Sequence, residues 1–194
     1  EDFSVFADRQ ISNSYFYELL SLDGYQKILN DAIWSIQNKR EMRLVEVGYD
    51  YTSIPQNVDY PIDFLPLQIL YHRGVIHLSG IVKGKNKILA IALNQLKKYS
   101  LTNNMFDNRD LLAALRREMD NRFGITDNMN NEIYDIEIEF SELTGEFVKH
   151  HFWHHSQNFL KLCNGNYVMT LRCGINRELV GWIFQWMSNA RVIK

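Results

Sequence analysis

Two cysteines, three prolines and a net charge of -2 in 194 residues leave few of the features that place a protein in a class at sight. With only Cys163 and Cys173, the disulfide framework that staples small secreted domains is excluded. Both cysteines lie near "CNGNY", which reads as a turn between the strands "NFLKLC" and "YVMTLRC". Strand rise puts them about 20 Å apart along that hairpin, too far for a bridge, so two buried reduced thiols are expected. No run of about 18 apolar residues occurs, and "EDFSVFADRQ" lacks the basic and apolar regions of a signal peptide. Neither a membrane span nor a secretory leader is expected, and the expected location is cytoplasmic. A chain that opens on Glu1 rather than Met reads as a fragment of something longer. The near-neutral charge excludes a basic field over the whole molecule, so any nucleic-acid contact would rest on a local patch. The P-loop, the Gly-rich dinucleotide turn, G-x-S-x-G and paired carboxylates are all missing, and no enzyme chemistry or cofactor is expected.

What is present is core-forming material. The chain is 46% hydrophobic and 13% aromatic, enough for one large domain or two small ones. Residues 1–24 show no clean period and read as a lead-in. From Tyr25, the apolar positions Ile28, Leu29, Ala32, Ile33 and Ile36 follow helical spacing to about Arg40, with Asp23 placed to cap the start. Short segments rich in Val, Ile, Leu and Tyr follow: "MRLVEVGYDY", "FLPLQILYHR", "VIHLSGIVKG", "KILAIAL" and "LKKYSLT". Strands so close together, with no helix between them, predict a small antiparallel barrel. A connector helix is expected over 109–122, capped by Asn108, through Leu111, Leu112, Leu115 and Met119. Residues 123–194 then read as strand "YDIEIEF", helix "TGEFVKHHFW", a strand pair around "NGN", helix "NRELVGWIFQWM" and strand "ARVI". That β-α-β-β-α-β order is the ferredoxin-like arrangement.

Four of six histidines crowd into "VKHHFWHHSQNF", at His150, His151, His154 and His155. On a helix, His150 with His154 and His151 with His155 would stand four apart, the spacing of two zinc ligands. A third ligand is missing and H-E-x-x-H does not occur, so a helix end followed by a turn is the favoured reading and no metal is expected. Lys83, Lys85, Lys87, Lys97 and Lys98, with Tyr71 and Tyr99, form either a track for a single strand or, the commoner case, a solvated edge that blocks sheet pairing. Trp182, Phe184 and Trp186 lie in a helix with Leu179 and Ile183 and read mostly as core or interface.

The segments "AIWSIQNKREMRLVEVGYDY", "LPLQILYHRGVIHLSGIV" and "IALNQLKKYSL" resemble the WYL domain of bacterial transcription regulators. Likewise "NRFGI", "WHHSQ", "NGNYVMTL" and "ELVGWIFQWMSNARVI" resemble the WCX extension that follows it. The resemblance covers residues 25–194. It implies an α+β protein: a WYL-like SH3-like or Sm-like barrel over 25–108, a connector over 109–122 and a WCX-like ferredoxin-like domain over 123–194. It also implies a ligand-sensing regulator portion whose expected partners are DNA through a helix-turn-helix missing from this chain, a nucleotide or oligonucleotide effector, and a second copy. Carried onto this sequence, its ligand-binding positions are Arg43, Tyr49, Arg73, His77, Ser79 and Gln95. The departures are pointed. Ile76-His77-Leu78 stands where the family has Trp-Tyr-Leu, and Ala92 and Gln95 stand in the strand that usually carries arginines. These losses favour an alternative in which both parts serve only dimerisation.

Overall fold

The computed structural model describes residues 22–48, 59–85 and 87–194. The chain forms two antiparallel sheets and, among the described residues, four α-helices. The first sheet follows helix α1 (Leu22–Gln37) and comprises β1 (Arg40–Val47), β2 (Ile62–His72), β3 (Val75–Val82), β4 (Lys87–Ala92) and β5 (Leu96–Met105). Its strand order is β4-β3-β2-β1-β5, so the last strand returns to pair with the first. A 3-10 turn, Leu93–Gln95, makes the corner before β5. Helix α2 (Arg109–Asp120) leads to the second set: β6 (Tyr134–Phe140), α3 (Glu142–Lys149), β7 (Asn158–Lys161), β8 (Tyr167–Cys173), α4 (Arg177–Phe184) and β9 (Ala190–Val192). Its strand order is β7-β8-β6-β9.

The apolar stripe of α1 closes one face of the first sheet. Leu29 and Ala32 are buried against Met42, Leu44, Phe64, Leu78 and Leu93, with Tyr25, Ile28, Ile33 and Ile36 packed around them. Strand alternation explains the partition, since Met42 and Leu44 point inward while Arg43 points out. Asp23 lies inside α1 rather than at its cap, and the helix stops at Gln37, before the expected Arg40. The stop is a turn in which Lys39 takes a left-handed φ of 52° and Asn38 Nδ2 donates to Trp34 O at 2.8 Å. Between β2 and β3, Arg73 (φ 49°) and Gly74 (φ 83°) make the two-residue turn suited to a tight hairpin.

The opposite face of the first sheet is covered as well. Leu115 of α2 is fully buried with Leu67, Ile81 and Ile88, and Leu111, Leu112 and Met119 pack around them. Truncating Leu115 to Ala would cost about 2–5 kcal/mol. Asn108 makes no capping bond; Asp107 does that work, accepting from Arg109 N at 3.1 Å. Its carboxylate is held down to about 2 by hydrogen bonds from Arg109.

In the second sheet Ile136, Ile138 and Phe140 alternate with Asp135, Glu137 and Glu139, and the apolar set is buried with Met169, Leu171, Leu179 and Trp182. Helix α3 ends at Lys149, so the expected continuation through Trp153 does not form. In the β7–β8 hairpin Lys161 pairs with Tyr167, which leaves Cys163 in the turn. Cys163 is exposed, correcting the expectation of two buried thiols; Cys173 is buried, and burial pushes its thiol up to about 11.

Candidate functional site at the seam between the two sheets

The residues with the densest polar chemistry lie where the β2–β3 hairpin meets the second sheet. Glu178 is in the first turn of α4, whose N-cap Asn176 accepts from Leu179 N at 2.9 Å. An acidic residue there suits the helix dipole, yet Glu178 is only 2% exposed. Its Oε1 accepts from Ile125 N (2.9 Å), Thr126 N (2.8 Å) and Thr126 Oγ1 (2.6 Å). Its Oε2 accepts from His72 Nε2 at 2.6 Å and lies 3.6 Å from Arg73 Nε. Burial raises the pKa of this carboxyl, but hydrogen bonds from His72, Thr126 and Ile125 outweigh it and bring it down to about 2. One ionised carboxylate therefore holds a loop of its own half and a hairpin of the other. Gly124 completes the cradle: it is left-handed (φ 76°), and a Cβ there would meet Glu178 Oε2 at 2.3 Å.

The sequence-derived site residues do not converge on one open pocket. His77 is 1% exposed, donates Nδ1–H to Val75 O at 3.1 Å and lies edge-on to His72 with ring centroids 6.3 Å apart. It opposes Leu70 and Ala92 in the ladders, and Ser79 opposes Gln68 and Ala90. By strand parity both share the face that carries Ile81, the face covered by α2. Ser79 is fully buried and its Oγ has no hydrogen-bond partner among the described residues. Arg73 joins His77 at the seam through His72 and Glu178. Gln95 sits elsewhere, beside Gly48, where its carbonyl accepts from Gly48 N at 2.8 Å. Arg43 is on an exposed strand position, paired with Asp63 at 3.2 Å. Tyr49 lies outside the described residues. Sequence reasoning missed His72 and Glu178; the only signal for the latter was an acidic first turn, which reads equally well as solvated.

The histidine-rich stretch forms the loop after α3. His154 is buried; its Nε2–H donates to Asp120 O at 3.0 Å, and its Nδ1 accepts from Ser156 N at 3.2 Å. Both ring nitrogens are thus used by the neutral form, and burial with the nearby His155 lowers its pKa. Gln157 Oε1 accepts from Trp153 N and His154 N, and its Nε2 donates to His151 O. The W-H-x-S-Q residues therefore lock this loop to α2 and β8. No group of three or more metal-ligating side chains occurs among the described residues.

Among the lysines, Lys83 Nζ pairs with the buried Glu41 at 2.5 Å. The Tyr99 hydroxyl donates to Asp31 at 2.7 Å, whereas Tyr71 is exposed. A polar cleft of about 420 Å³ beside Ile88 includes Arg122, whose guanidinium is taken up by Glu118 (3.0 Å) and Asp127 (2.7 Å). No helix among the described residues is long and apolar enough to cross a membrane.

No protein-family model and no curated protein matches the chain. Among solved structures it is similar to Proteasome accessory factor B/C (PafBC) of Arthrobacter aurescens, with a TM-score of 0.37 and 11% identity over 90% of this chain. The match covers 25% of that chain, so this sequence spans about a quarter of its length.

Proposed function

We propose that this chain is the effector-sensing and oligomerisation portion of a WYL–WCX-type transcription regulator. In that reading residues 25–108 are the WYL-like barrel, 109–122 the connector and 123–194 the WCX-like domain, and DNA is contacted by a helix-turn-helix outside this sequence. Support comes from the order β4-β3-β2-β1-β5 behind a leading helix, as in SH3-like and Sm-like barrels, and from β7-β8-β6-β9 with a helix in each crossover, as in ferredoxin-like domains. The observation that carries the sensing role is the shared Glu178. A ligand that moves the His72–His77 hairpin would change the partners of a buried carboxylate that also holds Ile125 and Thr126. Two sites that bias one such element are energetically coupled.

The effector class proposed is a nucleotide, single-stranded nucleic acid or another anion, drawn by the exposed Arg43 and Arg73 and by the lysine edge, with His77 and Ser79 buried beneath that surface and Gln95 apart from them beside Gly48. Loss of the signature arginines at Ala92 and Gln95 makes the expected affinity weak, roughly the 10⁻⁴–10⁻⁶ M of non-specific contacts. The second reading, a dimerisation unit with a degenerate pocket, is favoured by the burial of His77 and Ser79. Fluorescence anisotropy with a labelled oligonucleotide across salt and pH separates the two. Salt-sensitive binding that weakens in Arg73→Gln supports sensing, and no binding at low salt and pH 6 supports the dimerisation unit.

A further inference from the structure

A second cleft, of about 630 Å³, lies on the outer side of α4 and was not anticipated from the sequence. Its walls are aromatic. Trp153, Trp182 and Trp186 meet one another at centroid distances of 5.0, 5.9 and 6.2 Å, two of the three pairs nearly edge-to-face, and Phe147 abuts Trp186 at 5.9 Å. Arg177, in the first turn of α4, and Gln185, at its C-cap, stand four residues either side of Gly181, and Arg73 reaches in from the β2–β3 turn. Among the described residues, the side chains that line the space include two guanidiniums and no carboxylate, Arg73 also lying 3.6 Å from Glu178 Oε2 behind the lining. The indole N–H groups of Trp182 and Trp186 have no acceptor among the described residues, an uncommon state for buried donors.

The floor supplies an independent observation. Gly181 lies mid-helix, where glycine costs about 0.5–1 kcal/mol relative to alanine. Other glycines of this half have local reasons: Gly124 is left-handed, and a Cβ at Gly145 would meet Tyr167 at 2.6 Å. Gly181 has neither, because nothing lies within 4 Å of the Cβ it lacks. What its missing side chain does is leave the cleft open beneath the tryptophans.

We infer that this cleft binds a small planar aromatic anion, its ring among Trp153, Trp186 and Phe147 above Gly181 and its acid group on Arg73 and Arg177. Ring faces supply stacking, and guanidiniums recognise carboxylate or phosphate through paired charge-assisted bonds. The volume suits a ligand of that size. The cleft shares Arg73 with the regulator reading but is otherwise built on α4 and the loop after α3, apart from the β3 positions, and Arg177 and Gly181 test it independently of that reading.

The test is isothermal titration calorimetry on the full chain with 1-naphthoate and guanosine 5′-monophosphate, against 1-naphthalenemethanol and guanosine as uncharged counterparts. The expected result is saturable one-site binding of at least one acid, with the counterpart weaker by about tenfold or more and a similar loss in Arg177→Gln. Which acid binds tells a carboxylate ligand from a phosphorylated base. Gly181→Phe, whose side chain leaves the helix into open space, should abolish binding without lowering the thermal midpoint, and should leave the oligonucleotide anisotropy unchanged. The inference is overturned if neither acid saturates at millimolar concentration, if acid and counterpart bind alike, or if Gly181→Phe binds as the wild type does.

Discussion

His72 Nε2 and Glu178 Oε2 lie 2.6 Å apart although 106 residues separate them, and the carboxylate between them is almost fully buried. Removing one member of such a pair leaves an uncompensated group, which costs about 3–5 kcal/mol. Glu178→Ala should therefore lower the free energy of urea unfolding by roughly that amount, because Ile125 N, Thr126 N and Thr126 Oγ1 lose their acceptor as well. A loss below about 1 kcal/mol would mean that the seam is not a stabilising contact.

The same carboxylate sets a pH dependence. Its folded pKa, about 2, lies below its ordinary 4.5, so the unfolded chain binds the proton more readily. The stability it contributes is fully present above about 4.5 and is lost as pH falls toward about 2. Asp107 and Glu146 are held down to about 2 as well, each by hydrogen-bonded partners, so acid lability of the wild type is a sum. Subtracting the unfolding profile of Glu178→Gln isolates this group: the difference between the two proteins should shrink from pH 5 to pH 2.5. A constant difference over that interval contradicts the assignment.

His154 is expected to titrate in the opposite chemical sense but with the same sign for stability. Its pKa is lowered below 6.5 by burial and by His155, so the neutral ring stabilises the fold above 6.5 and that contribution falls away on acidification. His154→Ala removes the bond to Asp120 O and should cost about 1–3 kcal/mol. Because both of its nitrogens are occupied within the protein, stoichiometric zinc should not survive dialysis against a chelator. Zinc that is retained, and that is lost in His150→Ala with His154→Ala, would reverse this view of the stretch.

The second half exposes Leu143, Phe147, Phe152, Leu160 and Phe184, all more than half accessible. Apolar side chains left this exposed are what a second copy would cover under the proposed oligomerisation role. The proposed oligomerisation role predicts a dimer in light scattering at concentrations on the order of tens of micromolar, and Phe184→Asp or Phe152→Asp should shift it toward monomer. Monomer alone in the unmodified chain would remove this part of the proposal.

Local pattern carried far in this sequence. The stripe from Tyr25 to Ile36 had to be one face of a helix, because only a period near 3.6 brings those side chains together. The alternation in 134–140, and the Arg73-Gly74 turn between two β-rich runs, likewise specified a strand and a hairpin without help from distant residues. The order of elements and the placing of Arg73 in a turn follow from such short-range signals. Pairing across the chain does not. Period and parity say which side of a strand is apolar but not which element will cover it, and only the packing of Leu115 on Ile81 puts α2 over the face that His77 and Ser79 share. The expected continuation of α3 gave way for the same reason: His154 and Gln157 find more hydrogen-bond partners in a loop docked on Asp120 and β8 than a helical turn would have offered. Glu178 and Gly181 are the clearest cases. In sequence one is an ordinary acidic first turn and the other an unremarked glycine; docking the hairpin buries the first, and packing three tryptophans beside the second leaves it as the floor of a cleft.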